Sequence, residues 1–385
     1  MKSITDFDVT GKKVLLRCDL NVTIKNGTIL NDDKIVASLE TINYLVGKNA
    51  KVIIVSHLGK VKTEEDKKSN SLKLVFDRLE NLINTKIMFS EFTSGVALTD
   101  MVNQMENGEV VLVENTRFED LDGKKESGCD DGYSKYLASL ADIMIDDAFG
   151  MSHRRHASNY GVKKYLDWGI GFLVQKELEG LEPLMNPESP FTVLMGGAKV
   201  SDKTLLIDNI LKRCDYLLVG GGIANTFLKV DNKIGKSLYS EDSVDYVKNI
   251  LNTYSNKVIM PVDVIVENNG SVNTKLVSEI LDDDIIYDIG PRTTAIYKEY
   301  INNAKTTFIN GTVGLYEEEP FSIGTKEMLK SASLSKAKVI LGGGDALASA
   351  DKLGIDGFYH KSTGGGATLD YIGTGKLASM ESVEC

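Results

Sequence analysis

Along the first half of the chain, short apolar runs alternate with stretches whose apolar residues recur every three or four positions. The runs are 13–21 (KVLLRCDLN), 51–57 (KVIIVSH), 109–114 (EVVLVE) and 142–147 (DIMIDD); helical spacing falls near 33–46, 71–83 and 133–140. This alternation predicts a mostly parallel α/β sheet. Each predicted strand gives way to polar residues at its carboxyl end: Arg17, Asp19 and Asn21; His57; Asn115 and Arg117; Asp146 and Asp147, then His153, Arg154, Arg155 and His156. Ligands of open α/β sheets bind at those ends. Singly, Asp19 and Asn21 read as turn formers, His57 as a structural histidine, and His153 with His156 as too few ligands for a metal. Three of the four histidines and four of the seven arginines converging on one sheet edge are harder to dismiss. They point to a domain for a small, multiply anionic substrate.

Further on, Val174, Leu178, Leu181 and Met185 form one apolar helical stripe that ends near Pro187 and Pro190. It reads as a connector between domains, or simply as another core helix. Beyond it the apolar runs end in glycine: LM before Gly196 and Gly197, LLV before Gly220 to Gly222, VIL before Gly342 to Gly344. A fourth cluster, Gly364 to Gly366, precedes the apolar run 367–372. The most telling stretch is 191–203, FTVLMGGAKVSDK: a strand, a glycine turn and a helix start at Ser201 and Asp202. Such a turn brings backbone N–H groups at a helix N-terminus to an anion. If the helix starts early enough, Lys199 and Lys203, four apart, share a face and reach the same phosphates. Further strands are expected at 257–267 (KVIMPVDVIVE) and at 306–309, whose end carries Asn310 and leads to Glu317. Asp345, directly after a glycine triplet, is placed to hold a Mg²⁺ that also binds nucleotide phosphates.

Composition narrows the class. With 385 residues, 42% hydrophobic and 26% charged, the chain is an ordinary globular one, long enough for two domains of about 190 residues each. A net charge of −11 argues against a bulk nucleic-acid binder. No apolar run approaches the roughly 18 residues of a membrane span, and the start MKSITDFD lacks a signal-peptide core. Cys18, Cys129, Cys214 and Cys385 show no CxxC spacing, as expected of reduced thiols in a cytoplasmic protein. Only seven of the 44 basic residues are arginine, which suits sites needing a planar fork for carboxylate or phosphate. Neither GxxxxGK[ST] nor a strict GxGxxG after a strand occurs, against a P-loop enzyme or an ordinary dehydrogenase.

The ordered series RCDLNV, SHLGK, ENTRFED, DDAFGMSHRRHAS, GGAKVSDK, GGGIANTFLK, MPVD, DIGP, NGTVGLYE, GGGD and STGGGATL resembles the phosphoglycerate kinase family, from about Lys13 to Leu369. The resemblance implies two doubly wound, Rossmann-like parallel-sheet domains joined by an interdomain helix, with a hinge that closes the cleft. The expected division is 1–170 for phosphoglycerate, 171–186 for the helix and 187–371 for nucleotide, with a tail 372–385 packing back on the first domain. The implied reaction is reversible phosphoryl transfer from 1,3-bisphosphoglycerate to Mg-ADP, giving 3-phosphoglycerate and Mg-ATP, in a cytoplasmic monomer. By motif position, Asp19 and Asn21 would bind the glycerate's carboxyl and hydroxyl end, and His57, Arg117 and Arg154 its phosphate and neighbouring groups. Lys199 would stabilise the migrating phosphoryl, and Gly365 and Gly366 would present a helix N-terminus to it. Lys203, Gly196, Gly197, Gly221, Asn310, Gly342, Gly343, Gly344 and Ala346 would surround the nucleotide, Glu317 its ribose, and Asp345 would ligate Mg²⁺.

The chain also departs from the family. NVP, HLGRP and WNGP appear as Asn21-Val22-Thr23, His57-Leu58-Gly59-Lys60-Val61 and Ile309-Asn310-Gly311-Thr312, and Ala346 stands where Thr is usual. Lys34 occupies the place of an arginine expected in the catalytic and substrate-binding set. These changes leave two alternatives: a kinase for another acyl phosphate, or a weakly active paralogue that binds nucleotide without turnover.

Overall fold

A computed structural model describes residues 1–381; Cys385 and the end of the predicted tail lie outside the described residues. Contacts divide the chain into two compact units: Met1–Glu179 with the stretch from Lys376, and Gly180–Gly375. The boundary falls inside the helix Phe172–Met185, whose stripe residues Val174 and Leu181 are buried.

The first unit contains β1 (Lys13–Cys18), a small hairpin of β2 (Ile24–Lys25) and β3 (Thr28–Ile29), β4 (Lys51–Val55), β5 (Ile87–Ser90), β6 (Val110–Val113), β7 (Ile143–Asp147) and β8 (Asp167–Ile170). Six of these form one parallel sheet in the order β5-β6-β4-β1-β7-β8. Val14, Leu16 and Ile54 turn to a core shared with Ile35, Ile42 and Leu45 of the helix Asp33–Gly47. Leu15, Ile53 and Val55 turn the other way, toward Leu137 and Ala138 of the helix Asp131–Ser139. Burial on both faces is why the strands read as unbroken apolar runs. The chain builds outward from β1 through β4, then returns to add β7 on the other side of β1. The crevice beyond the carboxyl ends of β1 and β7 is thus the switch point of the sheet.

The second unit contains β9 (Phe191–Met195), β10 (Tyr216–Val219), β11 (Val258–Ile259), β12 (Asp263–Asn268), β13 (Ser271–Leu276), β14 (Ile285–Ile289), β15 (Thr306–Asn310), β16 (Lys338–Gly342) and β17 (His360–Ser362). Its parallel sheet runs β11-β10-β9-β15-β16-β17, so the switch point lies between β9 and β15.

The run 257–267 is not one strand. Val258–Ile259 closes the edge of the parallel sheet, whereas Asp263–Asn268 pairs antiparallel with β13 and β14 in a separate three-stranded sheet. Pro261, with no N–H for a ladder, stands at the break. The short strands β5 and β8 also escaped the pattern. Asp167 and Trp168 open β8, leaving only Gly169 and Ile170 buried in it, too little to register as an apolar run.

Candidate active site

The carboxyl edge of the first sheet gathers its cations as the polar strand ends foretold. Asn21 Oδ1 accepts the Gly59 N–H at 2.8 Å, and Arg117 donates through Nη1 to the Gly59 carbonyl at 3.1 Å. One loop residue thereby ties the ends of three strands together. The Nε–H of Arg117 is buried without a protein partner. Asp19 accepts the Lys34 ammonium at 2.9 Å, and Lys34 stands in the first turn of the helix Asp33–Gly47. Arg154 is exposed and donates through Nε to His153 at 3.0 Å.

Positive charge accumulates here, and its arginines lack direct ion pairs. The arginine ion pairs among the described residues are Arg78 with Asp32 and Arg155 with Glu381, so Arg17, Arg117 and Arg154 have none. Burial, then the charges of Arg17, Arg117, His156 and Lys34, push the His57 imidazole well below its ordinary pKa. Burial and the Arg154 charge also lower Arg117. An edge like this attracts anions. Arg155 is the exception to the expected cluster: it turns away to Glu381 at 2.5 Å and covers the Tyr160 ring.

At the switch point of the second sheet, the ends of β9 and β15 are laced together. Gly196 N–H donates to the Asn310 carbonyl at 2.9 Å and Gly197 N–H to that of Thr312 at 3.0 Å. A Cβ on Gly196 would stand 2.0 Å from the Thr312 carbonyl oxygen, so only glycine permits this approach. Gly221 takes φ +59°, a left-handed value, at the start of the helix Gly221–Leu228, where a Cβ would also crowd the Gly197 carbonyl. Asn310 donates through Nδ2 to the Gly342 carbonyl at 2.7 Å, joining β15 to β16. Gly343 then leads into the helix Gly344–Lys352, with Asp345 in its first turn. Ala346 buries its methyl in the core, which leaves only its backbone to meet a ligand. Gly365 precedes the helix Gly366–Thr374, whose Thr368 lies beside Gly342.

The two lysines do not share a helical face. Residues 196–200 form an irregular turn, with the Val200 N–H held by Ser240 Oγ at 3.1 Å, and the helix proper is Thr204–Leu211. Lys203 reaches back to the Gly196 carbonyl at 2.7 Å. Burial lowers its pKa to about 8 against the pull of Asp345 and Asp202. Lys199 is exposed.

A cleft of about 530 Å³ opens beside these turns, lined by Gly197, Gly221, Glu317 and Asp345 among others. Of the residues expected around nucleotide and phosphoryl, Gly196, Lys203, Asn310, Gly342, Gly343, Gly344 and Ala346 are not in its lining, nor are Lys199, Gly365 and Gly366. Sequence reasoning missed several lining residues, notably Asn225, Leu238, Tyr287 and Tyr316. Asn225 and Tyr316 stood inside quoted motifs, but nothing in their spacing marked them as pocket walls. Asp288 was missed too. It is buried, lines the cleft and accepts the Gly324 N–H at 2.7 Å, and burial pushes its carboxyl up to about 7. Among the described residues no group of three or more potential metal ligands exists. The exposed Asp345 carboxylate has no described protein partner, which fits an ion that takes most of its ligands from phosphate and water, as Mg²⁺ does.

A doubly wound unit with a cationic edge and another with a glycine-lined cleft and lysines are the arrangement expected of a phosphotransferase. The phosphoglycerate kinase family model matches residues 4–376. The phosphoglycerate kinases of Macrococcus caseolyticus and Fusobacterium nucleatum are each 44% identical to this chain, covering 99% of it and 98% and 99% of their own lengths. Phosphoglycerate kinase from Coxiella burnetii superposes with a TM-score of 0.88 at 35% identity, over 98% of this chain and 97% of that one. The enzyme from Pyrococcus horikoshii OT3 gives 0.84 at 31%, over 99% and 98%. The chain belongs to the phosphoglycerate kinase family, and its function is phosphoryl transfer of that kind.

Proposed function

We propose that the transfer runs between a phosphoglycerate held by the first unit and a Mg²⁺-nucleotide held by the second, in glycolysis and in a cytoplasmic monomer. The observation that carries this reading is Arg117 and Arg154, without ion pairs among the described residues, beside His57 at the carboxyl edge of the first sheet, together with the glycine-lined cleft ending in Asp345 at the switch point of the second. The free thiols of Cys18, Cys129 and Cys214 suit a reducing compartment.

In this reading His57, Arg117 and Arg154 hold the substrate's phosphate and neighbouring oxygens. Asp19 and Asn21 orient its hydroxyl and carboxyl end, and Lys34 stands beside Asp19. In the second unit, Gly221 lines the nucleotide pocket and the N–H groups at the start of the helix Gly344–Lys352 receive phosphates, with Lys203 beside them and Glu317 on the ribose. Asp345 would hold Mg²⁺, which neutralises phosphate charge when bound. Lys199 and the backbone at Gly365 and Gly366 stabilise the migrating phosphoryl. Transfer of this type needs positioning, charge neutralisation and exclusion of water, with little covalent work for the protein.

A coupled assay with 3-phosphoglycerate and Mg-ATP tests the reading. Turnover that saturates with both substrates is expected. Transfer to other carboxylates with poor activity on 3-phosphoglycerate would replace this substrate assignment. Nucleotide binding without any turnover would overturn it.

A further inference from the structure

Four side chains of the first unit form one hydrogen-bonded chain that ends on His57. Glu126 is fully buried; its Oε1 accepts the Ser158 hydroxyl at 2.5 Å and its Oε2 the Ser158 backbone N–H at 3.1 Å. With its hydrogen committed to Glu126, Ser158 Oγ accepts the Nε–H of Arg17 at 2.9 Å. Arg17, also fully buried, turns Nη1 to the Cys18 carbonyl and to Ser56 Oγ, and places Nη2 at 3.2 Å from His57 Nδ1.

A guanidinium has donors only, so the direction of every link is determined and Nδ1 of His57 must be the acceptor. In the neutral ring the single hydrogen then sits on Nε2. No described protein group bonds that atom. Burial keeps the ring neutral, reinforced by the surrounding charges of Arg17, Arg117, His156 and Lys34. Arg17 has no ion pair among the described residues. Glu126, one hydroxyl away, supplies the charge that lets a guanidinium lie this deep. Burial alone would raise the Glu126 pKa. His156, Arg17 and the Ser158 hydroxyl together hold it below the ordinary carboxylate value.

We propose that Glu126 is a positioning residue: through Ser158 and Arg17 it holds His57 as the Nε2–H tautomer, so that this histidine meets the anionic substrate as a neutral hydrogen-bond donor. The final step rests on the reading that His57 contacts the substrate. The chain itself does not.

The four histidines make the test direct. With ¹⁵N-labelled histidine and His57→Gln for assignment, free wild-type protein should show His57 with bare Nδ1 and protonated Nε2 from pH 6 to 8. Ser158→Ala and Glu126→Gln should each populate the Nδ1–H form. Each should also raise KM for 3-phosphoglycerate roughly tenfold, the scale of one charged hydrogen bond, while KM for Mg-ATP stays within about twofold. An imidazolium or an Nδ1–H ring in the wild type would overturn the proposal. So would variants that leave both tautomer and KM unmoved. If Glu126→Gln fails to fold, the wild-type spectrum and Ser158→Ala still decide. Adding 3-phosphoglycerate should shift the Nε2 signal; no shift would overturn the substrate reading of His57, whereas the tautomer of the free protein judges the chain separately.

Discussion

Three lysines that differ little in sequence occupy three environments, and each predicts a different experiment. Lys199 is exposed, and among the described residues its ammonium has no partner. If it serves charge that develops in transfer, Lys199→Ala should lower kcat about a hundredfold, roughly 3 kcal/mol, and leave nucleotide KM nearly unchanged. Near-normal kcat with a raised KM would remove it from the chemistry. Lys203 lies half-buried with its pKa lowered to about 8. At pH 8 the free protein holds it about half charged, and arriving phosphates favour the charged form, so nucleotide binding should take up part of a proton. Calorimetry in buffers of different ionisation enthalpy measures this; affinity should weaken above pH 8, and Lys203→Arg should abolish the uptake. Zero uptake in the parent at pH 8 would sink the idea. Lys34 pairs with Asp19 and supplies a point donor where the family has a planar fork. Lys34→Ala should cost at least about tenfold in kcat/KM, and Lys34→Arg should raise kcat on 3-phosphoglycerate. If neither variant differs from the parent, Lys34 is not in the site.

At the scale of elements, strand-end glycines set how closely the turns meet. In Gly196→Ala the added Cβ meets the Thr312 carbonyl oxygen at 2.0 Å and its carbonyl carbon at 2.5 Å, both backbone atoms. We expect a loss of about 1–3 kcal/mol in denaturant unfolding, the cost of overpacking, with nucleotide KM raised at least about tenfold. Unchanged stability would mean that the 311–313 turn gives way without cost. The strands themselves were legible wherever both faces are buried, as in β1, β4, β6 and β7, because a doubly buried strand must be apolar throughout. The polar strand β13, Ser271–Leu276, carries no such pattern, and most of it is exposed. Its place in a sheet comes from pairing with β12, which no local period encodes.

At the scale of the whole molecule, the proposed assignment of one ligand to each unit predicts separable binding. Arg117→Ala should weaken 3-phosphoglycerate binding at least about tenfold and leave Mg-ADP affinity within about twofold; Lys203→Ala should do the reverse. Isothermal titration of each ligand alone reads both, and a variant that weakens both ligands equally would contradict the division of sites. By itself the sequence determined the class of fold, the sheet edges at which the candidate site residues gather, and the family, since these depend on residue type and spacing along a continuous stretch. Only the tertiary structure decided which neighbours part company. Arg154 stays exposed beside His153, while Arg155 goes to Glu381, 226 residues away. It also buried Glu126 behind Arg17 and began the helix at Thr204, beyond both Lys199 and Lys203. Those outcomes rest on burial and on partners distant in the chain, and a charge or a hydroxyl acquires its pKa, its tautomer or its hydrogen-bond direction only once packing has chosen what lies against it.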